Sequence, residues 1–174
     1  MIETIRYEIL DALPTYGDMY IPVTEDGSSY YSEGLPVRLF KSGGSSWVAN
    51  FKPGWTRFKG AFDLSASKNL MVIAYGTCYI VDPEQTKPIA AFGVGYSDVL
   101  KMDDGRFVLQ DQTDLTIVEA DSKYWHTERI SWDGLKGLKA VGSVVTGLSY
   151  KLADEWTEFS YDLDKRILTN GTYH

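Results

Sequence analysis

A chain of 174 residues is expected to form one domain, 1–174, whose core needs neither a metal nor a disulfide. Hydrophobic residues make up 44% and charged residues 24%, which excludes a disordered polypeptide. The formal charge of −7, with no cluster of Lys and Arg, argues against a nucleic-acid partner, and the lone Cys78 excludes an intramolecular disulfide or a cysteine-based zinc cage.

The opening residues alternate through Ile5, Tyr7 and Ile9 as a strand does. Ile2, Ile5, Ile9 and Leu13 also fit one helical face, but the strand is preferred, and Pro14 ends either element. Glu3 and Glu8 interrupt any leader-like apolar region, and no run approaches the roughly 20 apolar residues of a membrane span, so a cytoplasmic location without membrane contact is expected. A strand follows around Met19 to Val23, then an Asp26-Gly27 turn and a loop holding Tyr30, Tyr31 and Gly34. Strands resume at Val37 to Phe40 and at Trp47 to Phe51. In the second of these, Trp47, Ala49 and Phe51 share one face and Asn50 and Lys52 the other, so it should be half exposed. The linker KPGWTRFKG, with Pro53, Gly54 and Gly60, marks a turn between units.

The most apolar stretch is Asn69 to Asp82, two runs broken at Gly76-Thr77. Both parities of Leu70 to Tyr75 are apolar, which predicts an antiparallel hairpin covered on both faces at the centre of the protein. Lys87 to Phe92 predicts a further strand. DVLKMDDGRFVLQD holds two strands around Asp104-Gly105, LTIVEAD a third and YWHTERIS a fourth. Tyr79 to Asp82 aligns with Thr116 to Glu119 at a spacing of about 37 residues, the size of one four-stranded propeller blade. A looser copy runs through Val144 to Tyr150, then Phe159, Tyr161 and Leu163, then Ile167-Leu168. No long helix is predicted: Gly137, Gly142 and Gly147 spoil the stretch around Leu135 to Val145, and KLADEWTEF is long enough for one helical turn.

Many short strands with turn signals between them predict an antiparallel all-β domain. The segments GTCYIVDPEQTKPIAAFGV and MDDGRFVLQDQTDLTIVEAD resemble successive blades of propeller repeats of the broad quinoprotein and WD40 kind, over roughly residues 62–131. That resemblance implies a propeller-like stack of small sheets, either four-bladed or partial, and an open form would dimerise to cover its edge. A β-sandwich or open barrel is the alternative fold.

Catalytic signals are sparse. There are two histidines, His126 and His174, and neither a G-x-S-x-G elbow nor an H-E-x-x-H pair. His126 has Glu128 as a neighbour on its strand face; Asp103-Asp104, Asp111 with Asp114, and Asp162 with Asp164 are acidic pairs beside turns, where Asp caps backbone groups without any ligand. No cofactor is implied, and an enzyme is not expected. The candidate binding residues are the aromatics in or next to loops: Tyr30, Tyr31, Trp55, Tyr124, Trp125 and Trp132. The expected function is a non-catalytic protein-interaction module. Its concrete version is a bacterial immunity-type protein that neutralises a basic partner. A carbohydrate or small-ligand binder using the same rings is the alternative, and a hydrolase built on the acidic turns comes last.

Overall fold

The computed structural model describes residues 4–173. Among them sixteen strands form four sheets of four strands each, and no closed barrel is present. The chain divides into two compact units, residues 1–96 and 97–174, with two sheets in each.

The first sheet contains β1 (Tyr7–Ile9), β2 (Ile21–Val23), β3 (Leu35–Phe40) and β4 (Ser46–Phe51), in the order β1-β3-β4-β2. Its one parallel pairing is β2 with β4, made possible by the long excursion that carries the chain from β1 across to the far edge. Of the strand expected through Ile5, Tyr7 and Ile9, only Tyr7–Ile9 forms; Ile5 precedes it and is exposed, and Ile2 lies outside the described residues. Met19 stands outside β2 and is exposed, contrary to the strand expected from it onward.

β4 departs from its sequence pattern. Asn50 was expected to face solvent, yet it is fully buried. Its Oδ1 accepts the Gly34 N–H at 2.8 Å and its Nδ2 donates to the Ser32 carbonyl at 2.9 Å, so the amide is satisfied by the incoming loop instead of by water.

The second sheet is the meander β5 (Gly60–Asp63), β6 (Leu70–Ala74), β7 (Thr77–Val81) and β8 (Ala90–Phe92). All ten residues of β6 and β7 are buried, as two-faced apolar runs require. Leu70, Val72, Ala74, Tyr79 and Val81 pack with Val37, Leu39, Ala49 and Phe51 of the first sheet into one core, where Tyr79 and Phe51 lie 5.1 Å apart between ring centroids. Ala74 pairs with Thr77, so the two turn residues are Tyr75 and Gly76, not Gly76 and Thr77 as the composition suggested. Both have positive φ, 47° and 101°, which matches the twist that a two-residue hairpin needs. The residues before Ala90 form a turn and bends in place of the longer strand expected from Lys87.

Asp82 closes β7 and is the charged residue set deepest in this unit, its side chain 3% exposed beside Lys68 Nζ at 2.9 Å. Burial pushes its pKa up, but the hydrogen bonds from Lys68 and the Glu84 N–H, with the charges of Lys68 and Arg6, outweigh burial and hold it below the usual carboxylate range. A carboxylate depressed in the folded state stabilises above its unfolded pKa, about 3.9, and loses that contribution as pH falls through the folded value. Asp82→Asn should cost about 1–3 kcal/mol at neutral pH and flatten the acid limb of urea midpoint against pH below about pH 5. An unchanged acid limb would show that Asp82 is not coupled to folding.

In the second unit β9 (Asp98–Lys101), β10 (Phe107–Gln110), β11 (Leu115–Val118) and β12 (Tyr124–His126) form one meander. β13 (Leu135–Val141), β14 (Val144–Lys151), β15 (Glu155–Asp162) and β16 (Ile167–Thr169) form the other. Val108, Leu115, Ile117 and Ile130 meet Leu135, Val145, Phe159 and Tyr161 in a second core. The 37-residue spacing thus joins β7 to β11, the third strand of each meander. KLADEWTEF is the end of β14, a three-residue turn and the start of β15, because Ala153 and Asp154 adopt φ of 66° and 59°, outside any right-handed helix. Edge strand β13 carries exposed Lys136 and Lys139 and a register shift around Gly137, features that discourage pairing with another sheet.

Candidate functional site

In the first unit a cleft of about 490 Å³ lies between the 24–31 loop, the 52–60 linker and the start of β7. Glu25, Asp26, Lys52, Trp55, Thr77 and Tyr79 line it. The linker is fixed along its length by backbone bonds: Gly54 N–H to Ala74 at 3.0 Å, Trp55 N–H to Val94 at 2.7 Å and Thr56 N–H to Tyr75 at 2.9 Å. Trp55 itself is 85% exposed, a large apolar ring on a held backbone. Tyr79 donates its hydroxyl to the Lys52 carbonyl at 2.7 Å. Burial, reinforced by the nearby Glu25 and Tyr30, pushes its pKa up, so the phenol stays protonated and keeps that bond. Asp26 accepts the Ser28 N–H at 3.0 Å; hydrogen bonding from the Ser28 side chain first, and from this N–H second, lowers its pKa and keeps a carboxylate at the cleft. Tyr31 is 85% exposed on the same loop, whereas Tyr30 is half-buried.

The aromatics of the second unit are held by neighbours. Tyr124 and Trp125 lie on edge strand β12, within the strand expected over YWHTERIS. Trp125 donates Nε1 to Glu119 at 2.8 Å, carries the Arg166 guanidinium 4.1 Å from its ring centroid and packs on Tyr161. Trp132 meets Tyr173 edge-on at 5.1 Å, and Arg129 sits 4.3 Å from the Tyr173 ring while donating to the carbonyls of Ser131 and Trp132. These rings have their cations supplied from within the chain. Trp125 thus packs with Tyr161 and Arg166, and Trp132 with Tyr173 and Arg129.

His126, Glu128, Asp104, Asp111 and Asp162 make hydrogen bonds within the fold. His126 Nδ1 is 2.7 Å from the Thr116 hydroxyl, and Glu128 accepts from Tyr161 Oη instead of pairing with the histidine. Asp104 receives the Arg106 N–H and guanidinium, Asp111 receives the Gln112 N–H, and Asp162 receives the N–H groups of Asp164 and Lys165, which is turn chemistry. Asp114 has a raised pKa through burial and the charge of Asp111. Cys78 is fully buried in β7, and burial pushes its thiol up, away from the reactive thiolate. Among the described residues no group of three or more His, Cys, Asp or Glu is arranged to hold a metal ion. A larger concavity, about 550 Å³, is lined by Arg6, Lys41, Lys68, Asp82 and Glu84; Arg6 pairs with Asp63 at 2.8 Å and Lys68 with Asp82 at 2.9 Å.

Sequence reasoning missed Tyr16 and Met19, which are 91% and 83% exposed on the excursion between β1 and β2. The signal that marks them is charge: residues 7–37 contain Glu8, Asp11, Asp18, Glu25, Asp26 and Glu33 and no Lys, Arg or His. No protein-family model matches the chain, and comparison with curated proteins and with solved structures gives no match either.

Proposed function

We propose that the protein is a non-catalytic interaction module that binds another protein through exposed rings on its first unit, an immunity-type protein neutralising a basic partner being the concrete form. The observation that supports it most is the pair Tyr31 and Trp55, each 85% exposed and each on a loop anchored to the sheets by hydrogen bonds. Rings held out in this way contribute a large contact area at small entropic cost, which is why Tyr and Trp dominate interface hot spots. The second unit supports the same reading by contrast, since its Trp rings are less exposed and each has a cation from within the chain beside it, Arg166 at Trp125, Arg129 at Trp132 and Lys136 at Trp156.

The four-stranded sheets fit the propeller-like reading: three of them are meanders in sequence order, the pattern of a blade. In its open form such an array would pair with a second copy, and light scattering behind size exclusion should then give twice 19.6 kDa. A monomer mass at micromolar concentration would remove the open form.

A carbohydrate or small-ligand binder is the second reading, favoured by one observation: Trp55 shares its cleft with the carboxyl groups of Glu25 and Asp26 and the hydroxyl of Thr77, a stacking ring beside polar groups. Salt separates the two. Association with a basic protein should slow at least tenfold between low and physiological ionic strength, whereas sugar stacking should hardly change. Trp55→Ala should weaken the captured complex about tenfold or more in a titration by calorimetry. Unaltered affinity in both Trp55→Ala and Tyr31→Ala would end the exposed-ring reading.

A further inference from the structure

We propose that residues 8–33 form the docking surface, and that its occupant is a basic protein surface with apolar side chains at its centre. The proposal rests on the interaction-module reading and adds where the contact is made and by what chemistry. Its first support is apolar exposure. Tyr16, Met19 and Tyr31 are each more than four-fifths exposed, and they are three of the five large apolar side chains in the described residues that reach that level. Tyr and Met are the side chains that interface cores favour, Met because it adapts its shape to a partner.

The excursion is pinned where it leaves and where it returns, by the Leu13 N–H to Glu33 Oε1 bond of 3.1 Å and the Asn50 bonds to Ser32 and Gly34. With at most about 3.5 Å per residue, the first bond keeps the Cα atoms of Tyr16 and Tyr31 within roughly 25–30 Å. That is the width of a standard interface patch of about 800 Å² per partner.

Charge complementarity selects the occupant. Six of the chain's 24 acidic residues and none of its 17 basic residues lie in 7–37, so the other 143 residues are within one charge of neutral. All six acidic residues are exposed, and none makes an ion pair among the described residues. Elsewhere in the described residues Asp63, Asp82, Asp104 and Asp164 each face an Arg or Lys within 3.0 Å. Five carboxylates outside this band are ion-paired among the described residues, whereas none of the six within it is, and the same segment exposes Tyr16, Met19 and Tyr31, the composition of an apolar interface centre with a charged rim.

The test uses the full chain labelled with nitrogen-15 and three synthetic 16-residue probes: alternating Lys and Leu, alternating Lys and Ser, and alternating Glu and Leu. The Lys/Leu probe should shift amide resonances within 8–33, bind at least tenfold more tightly than Lys/Ser, and weaken at least tenfold from 50 to 300 mM salt. The Glu/Leu probe should not bind. The variant Tyr16→Ser, Met19→Ser, Tyr31→Ser should lose at least tenfold toward Lys/Leu with an unchanged thermal midpoint, since all three side chains are already solvated. Shifts centred on Trp55 or on the second unit would overturn the placement while leaving an interaction module standing. Equal binding of Lys/Leu and Lys/Ser would overturn the apolar centre, and no binding by either would overturn the docking surface. Binding of an oligosaccharide at the Trp55 cleft with no response to any probe would overturn the interaction reading itself.

Discussion

Gly76→Ala should destabilise the transition that includes the first unit by about 3 kcal/mol or more, a fall of about 6–12 °C in midpoint for a chain of this size. Two costs combine. Gly76 holds φ +101°, a conformation an L side chain rarely adopts, which costs about 1–2 kcal/mol. A Cβ there would also stand 2.5 Å from the Val94 carbonyl oxygen and 2.9 Å from Thr56 Oγ1, so backbone must move. That backbone is committed: Gly76 donates to the Phe58 carbonyl at 3.2 Å and accepts from the Tyr96 N–H at 3.1 Å. Gly27→Ala is the control, with φ +77° and nothing within 4 Å of the new Cβ, so it carries only the conformational cost, about 1 kcal/mol. Urea or thermal melts of both variants decide the matter. If the two lose the same stability, the packing of the linker and the 93–96 loop on this turn contributes nothing.

The hairpin around that turn was the most legible element, because two apolar parities within six residues leave no exposed face to choose. Its turn was misplaced by one residue because the left-handed position before Gly76 is filled by Tyr75, which gives no compositional warning. Strand β13 was hidden for the opposite reason. Gly137 and Gly142 look like damage to a helix, but they supply φ of 66° at the register shift and 59° at the turn. Asn50 was read as facing solvent because alternation records polarity, not partners, and a buried amide with two good bonds looks the same in sequence as a solvated one.

The site was legible in part. Loop position found Tyr31 and Trp55, which the structure exposes, but it grouped them with Trp125 and Trp132, whose rings lie against Arg166 and Arg129. The partners come from 41 residues along the chain for Trp125 and three for Trp132, and no local pattern announces a cation over a ring. Tyr16 escaped notice because it stands between Thr15 and Gly17 with no apolar neighbour, and Met19 because it leads the apolar run to Val23 and was read as part of that strand. The charge imbalance that sets their segment apart is visible only when it is counted over some thirty residues.

Asn50→Ala should cost about 2–4 kcal/mol, and it links the core to the proposed docking surface. Removing the amide leaves the buried Gly34 N–H without its acceptor and the Ser32 carbonyl without its donor. Water cannot easily replace the side chain at Gly34, where any Cβ would already lie 2.0 Å from the Phe51 carbonyl oxygen. Asn50→Asp keeps an acceptor for Gly34 but turns an oxygen toward the Ser32 carbonyl inside the core, so it should be at least as damaging at neutral pH. The second effect is on order. Ser32 and Gly34 flank Glu33 and follow Tyr31, and the Asn50 bonds are the tie that sets where this return limb enters β3. Hydrogen exchange should rise from Tyr30 to Gly34 in Asn50→Ala before it rises in β6 or β7, and affinity for the Lys/Leu probe should fall with it. Uniform exchange through the first unit would mean that the loop and the core open as one, and that Asn50 stabilises the fold without ordering the docking surface.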